Sequence, residues 1–151
     1  MIKSLNKSQC ELLLRHNYIG HLSYIYQNRP FIVPITYFYK NHQIICYSAE
    51  GHKISAMRLH NPVAMGVSEI SSVKQWKSVV AHGSFQELEG PDAKALLHDF
   101  SLGVKESILQ SEHKDLSFIS EFSAKIKDKD IPIVFVISID ELTGKMHSDA
   151  N

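Results

Sequence analysis

A chain of 151 residues suffices for one ordinary domain and is too short for two. Its 44% hydrophobic and 21% charged residues exclude a disordered, collagen-like or coiled-coil chain. Sixteen basic residues balance sixteen acidic ones, so the basic footprint of a nucleic-acid binder is missing, and neutrality favours self-association.

The chain opens with a helix signature. Asn6 stands as N-cap, Gln9 at the third helical position, and Leu5 and Cys10 at the spacing of a hydrophobic staple. Cys10, Leu13 and Leu14 then share one face, and the pattern stops at Asn17. This start has no long apolar core of a signal peptide, and no run approaches the about 20 apolar residues of a membrane helix. The expectation is a soluble cytoplasmic protein. Cys10 and Cys46 have neither CxxC nor zinc spacing and read as buried, reduced thiols.

From residue 18 the texture becomes alternating and rich in aromatic and β-branched residues. Residues 18–26, 31–40 and 43–48 read as three strands joined by tight turns at 27–30 and 41–42. Pro34 sits inside the second of these, where it removes a ladder donor and so marks an edge or a bulge. Ala49, Glu50 and Gly51 break the third strand. Residues 53–60 form a short helix with Ile54 and Met57 on one face, stopped by Asn61 and Pro62.

Residues 63–70 and 76–88 are two more strands. Pro91 and Asp92 start a helix that carries Leu96, Leu97 and Phe100. Residues 101–130 are polar and mostly helical. Residues 131–140 form the last strand, apolar at Ile131, Ile133, Phe135, Ile137 and Ile139 and again at Val134 and Val136. A strand apolar on both faces is central or covered by another subunit. Six strands in short antiparallel steps, with helices at the ends, predict a small closed barrel in a single domain spanning residues 1–151.

Nine histidines are scattered without HxH, HExxH or Cys/His clustering, so no metal site is indicated. No GxSxG or Walker pattern is present. The informative stretch is CYSAEGHKISAMR, Cys46 to Arg58. A strand ends at Ser48, a glycine turn follows, and Lys53 opens a helix. Unpaired N–H groups at a helix start carry partial positive charge, so Ser48 and Lys53 beside them make a phosphate cradle, with Arg58 placed to assist. Around Pro34, the backbone of Val33, Ile35 and Thr36 is left to face a ligand. Trp76, Ser78, Val80 and His82 share one strand face, and a lone Trp beside a hydroxyl suits an aromatic ligand. Each of the three stretches also has a plain structural reading: an ordinary turn, an edge strand, a core tryptophan.

In the order YIGHLSY, FIVPITYFY, IICYSAEGHKISAMRLHNP, WKSVVAHGSFQEL and ISIDELTGK, the chain resembles the FMN-binding split-barrel family of pyridoxamine 5′-phosphate oxidase-like proteins. It is most similar to the nitroimidazole-resistance branch, over roughly residues 5 to 145. The resemblance implies a mainly β fold with flanking helices, a six-stranded antiparallel split β-barrel. It also implies a homodimer with FMN at the subunit interface. By similarity, Ser48 and Lys53 hold the FMN phosphate, with His52 where relatives commonly carry a stronger basic ligand. The backbone of Val33, Pro34, Ile35 and Thr36 meets the isoalloxazine edge. Trp76 and Ser78 face the flavin, in one version from the other subunit.

Two departures qualify the likeness. No Arg-x-His substrate motif follows Lys145, so vitamin B6 oxidation is not expected. His52 lacks the permanent charge and the fork of an arginine. The leading expectation is an FMN-dependent oxidoreductase reducing a small nitroaromatic or flavin-like acceptor, with Tyr37 and His82 as proton donors if they face inward. The alternative is a non-catalytic flavin- or haem-binding protein on the same barrel, and a third is a cofactor-free interaction module.

Overall fold

Helix α1 (Lys7–His16) begins at the cap the sequence predicts, in a computed structural model that describes residues 1–112 and 133–148. The Gln9 amide donates to Asn6 Oδ1 and the Asn6 amide donates to Gln9 Oε1, both at 2.9 Å. Two orphan donors are thereby satisfied reciprocally. Cys10, Leu13 and Leu14 face the core.

Seven strands follow from the alternating segments: β1 (Ile2–Ser4), β2 (Ile19–Tyr26), β3 (Arg29–Lys40), β4 (Gln43–Ser48), β5 (Pro62–Ser72), β6 (Gln75–Leu88) and β7 (Ile133–His147). Helix α2 (His52–Leu59) joins β4 to β5, and α3 (Gly90–Glu112) follows β6. Around the sheet the order is β7-β4-β3-β2-β5-β6, and β6 pairs back onto β7. That closes the expected six-stranded antiparallel ring, which is split only where residues 29–36 of β3 pair with β2 alone. The added strand β1 pairs with Lys145–His147 of β7, beyond the Ile133–Ser138 stretch that β4 occupies.

The β2–β3 and β3–β4 turns have two residues each. Gln27, Asn28, Asn41 and His42 all have positive φ, the signature of type I′ hairpins, whose twist suits the flanking strands. The first turn is therefore shorter than 27–30, and Arg29 and Pro30 belong to β3.

Inward residues of β2 to β7 fill the barrel, among them Leu22, Tyr37, Ile44, Met65, Val79, Phe135 and Ile137. Outside it, Val134 and Val136 of β7 pack with Ile45 against Leu97, Phe100, Val104 and Ile108 of α3. The second apolar face of β7 is therefore covered by the chain's own helix: of the two alternatives the pattern left, β7 is the central strand, between β4 and β6, and no second subunit is needed to cover it. The close seat of α3 uses Gly103, where a Cβ would overlap the Phe38 ring. The last strand also runs seven residues past its predicted end at residue 140. The helix expected over 101–130 is seen as far as Glu112; its remainder, and Ile131, lie outside the described residues. Among the described residues no helix is long and apolar enough to cross a membrane.

Pro34 is accommodated at an edge rather than a bulge. Over 29–36, β3 pairs with β2 in unbroken register, and pairing with β4 starts only at Tyr37↔Cys46. The Tyr37 amide donates to the Tyr18 carbonyl at 2.8 Å, so odd-numbered residues turn their backbone groups to β2. Pro34, of opposite parity, turns its nitrogen to the open side and costs the ladder no bond.

Candidate functional site

The site is built where β4 leaves the barrel. Ser48 is buried, and its hydroxyl donates to the Ala49 carbonyl at 3.0 Å. That is a local bond a ligand oxygen can replace. Gly51 is the N-cap of α2, with extended backbone (φ 174°) and no side-chain cap bond. The first helical bond runs from the Ser55 amide to the Gly51 carbonyl. The amides of the first turn, from His52 to Ile54, are thus left without an intrahelical or capping partner. A Cβ on Gly51 would meet nothing within 4 Å, so the cap residue itself stands in open space.

Lys53 is half-buried and pairs with no carboxylate among the described residues. Its charge is felt by the buried Cys46 thiol. Burial pushes that thiol's pKa far up, and Lys53 draws it part of the way back. Cys46 and Cys10 are both buried and free.

His52 sits against an aromatic cluster that the sequence did not disclose. Its Nδ1 shares a hydrogen bond with the Tyr24 hydroxyl at 2.9 Å. Its ring lies 4.9 Å from both Tyr26 and Phe31, and Tyr24 stacks on Phe31 at 5.4 Å. Alternation places Tyr24 and Tyr26 on one strand face, but no local pattern announces that the first residue of α2 overhangs them. The contact fixes the imidazole and leaves Nε2 for a ligand.

Arg58 does not assist the cradle, contrary to expectation. Its Nε and Nη2 donate to Glu87, and its Nη1 and Nη2 donate to Glu50. These bonds raise the guanidinium pKa further and hold the Glu87 carboxyl below the usual carboxylate range. Tyr37 is not a proton donor to a ligand either. It is fully buried, and its hydroxyl donates to the Leu14 carbonyl at 2.7 Å, one of the orphan carbonyls ending α1. His82 is exposed on the outer face of β6 beside Ala64 and Glu141, not turned inward.

The open stretch of β3 borders this cradle. Continuing the Tyr37↔Cys46 register brings Thr36 and Ile35 beside the end of β4, and Phe31 touches His52. Val33 and Ile35 turn their side chains to the barrel, whereas Pro34 is exposed on the outer face that Thr36 shares by alternation. Ser48, His52, Lys53 and the 33–36 edge are therefore neighbours.

Trp76 and Ser78 are not. They lie on the outer face of β6, which β7 alone separates from β4, but far along the strands: Ser48 stands opposite Ile133 of β7, whereas Ser78 and Trp76 stand opposite Lys145 and His147, about 40–46 Å of strand away at ~3.3 Å per residue. Ser78 accepts a hydrogen bond from Ser68 at 3.0 Å, and Trp76 stacks on His147 at 6.3 Å. A groove of about 630 Å³ opens on this same face, bordered by His16, Ile19, His21, Ser68 and Ile70. No group of three metal-ligating side chains gathers among the described residues.

Comparison with known proteins fits this geometry. The family profile of pyridoxamine 5′-phosphate oxidase matches residues 6–146. A FAD-binding protein from Mesorhizobium loti is similar at 26% identity, over 98% of this chain and 99% of its own, with a TM-score of 0.74. Two further solved structures share the fold. One is a protein ascribed to 5-nitroimidazole antibiotic resistance from Bacteroides thetaiotaomicron (16% identity, 97% and 89% covered, TM-score 0.69). The other is a FAD and haem binding protein from Mycobacterium smegmatis (14% identity, 98% and 74% covered, TM-score 0.69). The match spans nearly the whole described barrel, and the chain belongs to the pyridoxamine 5′-phosphate oxidase family, with its split-barrel fold.

Proposed function

We propose that this chain is a flavoprotein that binds FMN and passes electrons to a small nitroaromatic or flavin-like acceptor. One observation carries the reading: an uncapped helix N-terminus beside Ser48 and a lysine with no carboxylate partner among the described residues, next to an open strand edge. The residues fit a phosphate. Backbone N–H groups and the Lys53 ammonium supply donors and charge, and the open space at Gly51 admits the ligand. Among the described residues the cradle offers one helix start and one ammonium without a carboxylate partner, a match for one phosphate group, which favours FMN over a dinucleotide.

When bound, the flavin supplies the redox chemistry. The chain's residues bind and orient it. Lys53 and the α2 amides hold the phosphate, His52 adds its Nε2, and the β3 edge at Val33, Pro34, Ile35 and Thr36 lies along the ring system. Trp76 and Ser78 sit too far along the strands from Ser48 to close over the same ligand from the same chain. We therefore assign them to a second copy, in a homodimer with the flavin between subunits. The relationship to the Mesorhizobium loti FAD-binding protein supports flavin as the ligand class.

The visible absorption spectrum of the purified protein tests the reading, followed by chromatography of the heat-released supernatant against FMN and FAD. Flavin bands and released FMN are expected, as is reoxidation of the reduced protein by a nitroaromatic faster than that of free FMN. A colourless protein that takes up no added FMN overturns the assignment. A haem Soret band in place of flavin bands replaces it with the haem-binding alternative.

A further inference from the structure

The guanidinium of Arg58, in the last turn of α2, is engaged on both sides. It donates to Glu87 at 2.8 and 2.7 Å and to Glu50 at 3.1 and 2.9 Å. Three elements meet there: the turn before α2, the end of α2 and the end of β6. Glu87 is held partly in the protein surface, but the Glu50 side chain is 63% exposed, and Arg58 is its partner among the described residues. Glu50 lies two residues after Ser48 and three before Lys53.

A carboxylate in that position, if free, has two attractive places to go. One is the Lys53 ammonium, which has no acidic partner among the described residues. The other is the positive N-terminus of α2, where acidic side chains are favoured and where no side chain caps. Either move fills the cradle with a negative charge and opposes a phosphate dianion.

We infer that Arg58 is a positioning residue that withholds the Glu50 carboxylate from the phosphate cradle, and thereby sets the chain's preference for a phosphorylated ligand. The inference rests on the phosphate reading of the cradle. It gives the engaged arginine a role that direct contact with the ligand does not supply.

The test compares FMN with riboflavin, the same ring system without the phosphate, by quenching of flavin fluorescence. The chains are wild type, Arg58→Ala, Glu50→Gln and the Arg58→Ala/Glu50→Gln double variant. Arg58→Ala is expected to weaken FMN about three- to tenfold, the scale for a solvent-screened carboxylate facing a dianion, and to leave riboflavin unchanged. The loss shrinks with added salt. Adding Glu50→Gln restores FMN affinity, which a merely structural role for Arg58 would not allow.

An FMN-to-riboflavin preference that survives Arg58→Ala overturns this inference alone. So does a loss that falls on both ligands equally, or one that Glu50→Gln fails to repair. A wild-type chain that holds the two flavins equally overturns the phosphate reading and this inference together. If Arg58→Ala does not fold, Glu50→Gln decides by itself: FMN affinity equal to or tighter than wild type upholds the inference, and weaker affinity overturns it.

Discussion

Replacing Lys53 by methionine isolates the charge of the cradle. The side chain is half-buried and, in the free protein, pairs with no carboxylate among the described residues. Methionine keeps most of the apolar stem that packs against the barrel end. Folding therefore loses no ion pair, and the change in stability stays within about 0.5 kcal/mol, the range for substitutions away from strained or buried polar features. The Cys46 thiol is held protonated by burial and does not become an uncompensated charge. Binding behaves differently. A hydrogen bond to a charged partner contributes about 1.5–3 kcal/mol. Partial exposure places Lys53 in the lower half of that range, about 1.5–2 kcal/mol. At about 1.4 kcal/mol per decade this is a 10- to 30-fold rise in Kd for FMN. Riboflavin has no phosphate, so its affinity stays the same. Fluorescence titration with both flavins at low and high salt reads the difference. Equal weakening of FMN and riboflavin, or unchanged FMN binding, refutes the assignment of the phosphate to this helix start.

Three further outcomes follow from the geometry. Gly51→Ala is compatible with the extended backbone and meets no atom within 4 Å, so it costs at most about 1 kcal/mol as a poorer N-cap, yet it narrows the approach to the α2 amides and weakens FMN; unchanged FMN affinity counts against the cradle. Tyr37→Phe leaves the Leu14 carbonyl buried without its donor, at about 1–3 kcal/mol, and lowers Tm by about 2–10 °C while flavin affinity and turnover persist; a selective loss of turnover would return Tyr37 to the chemistry. The Arg58 bonds depress the Glu87 pKa, so their stabilisation is complete above the unfolded carboxylate value of about 4.3 and is lost as pH falls through the lower folded value. The gap in urea midpoint between wild type and Arg58→Ala is therefore flat from about pH 6 to 8 and closes below about pH 4; a gap that widens in acid contradicts this.

Much of the fold is legible in the sequence because its signals are local and mutually consistent. The capping box at Asn6 and Gln9 needs four residues to read, and it appears atom for atom. Strand β4 falls at its predicted bounds because Asn41 and His42 bound it on one side and Gly51 on the other. Pro34 announces an edge, and the partner switch of β3 from β2 to β4 supplies one. Where the signal is not local, the reading falls short. Strand β7 is apolar on both faces, and pattern alone does not say what lies over the second. The answer is α3, whose Leu97, Phe100, Val104 and Ile108 are themselves spaced as a helical stripe with no stated target. Strand β1 has only three residues, all exposed, and owes its existence to a free stretch of β7 more than a hundred residues away.

The candidate site shows the same division at the level of single side chains. Spacing places Ser48, His52, Lys53 and Arg58 in one turn and one short helix, and they are there. It does not say which of them already has a partner. Arg58 is taken by Glu50, eight residues back, and by Glu87, twenty-nine residues ahead on another strand. His52 is half-taken by Tyr24, twenty-eight residues back on β2. Lys53 is left without a carboxylate among the described residues. Composition counts these cations as equivalent, and the fold makes them unequal by deciding which are neutralised before any ligand arrives. The charge left for a ligand is therefore a tertiary property. It is set as much by Glu87 at the end of β6 as by the residues of the turn itself, which is why a phosphate cradle is recognisable from sequence as a place but not as a balance of charge.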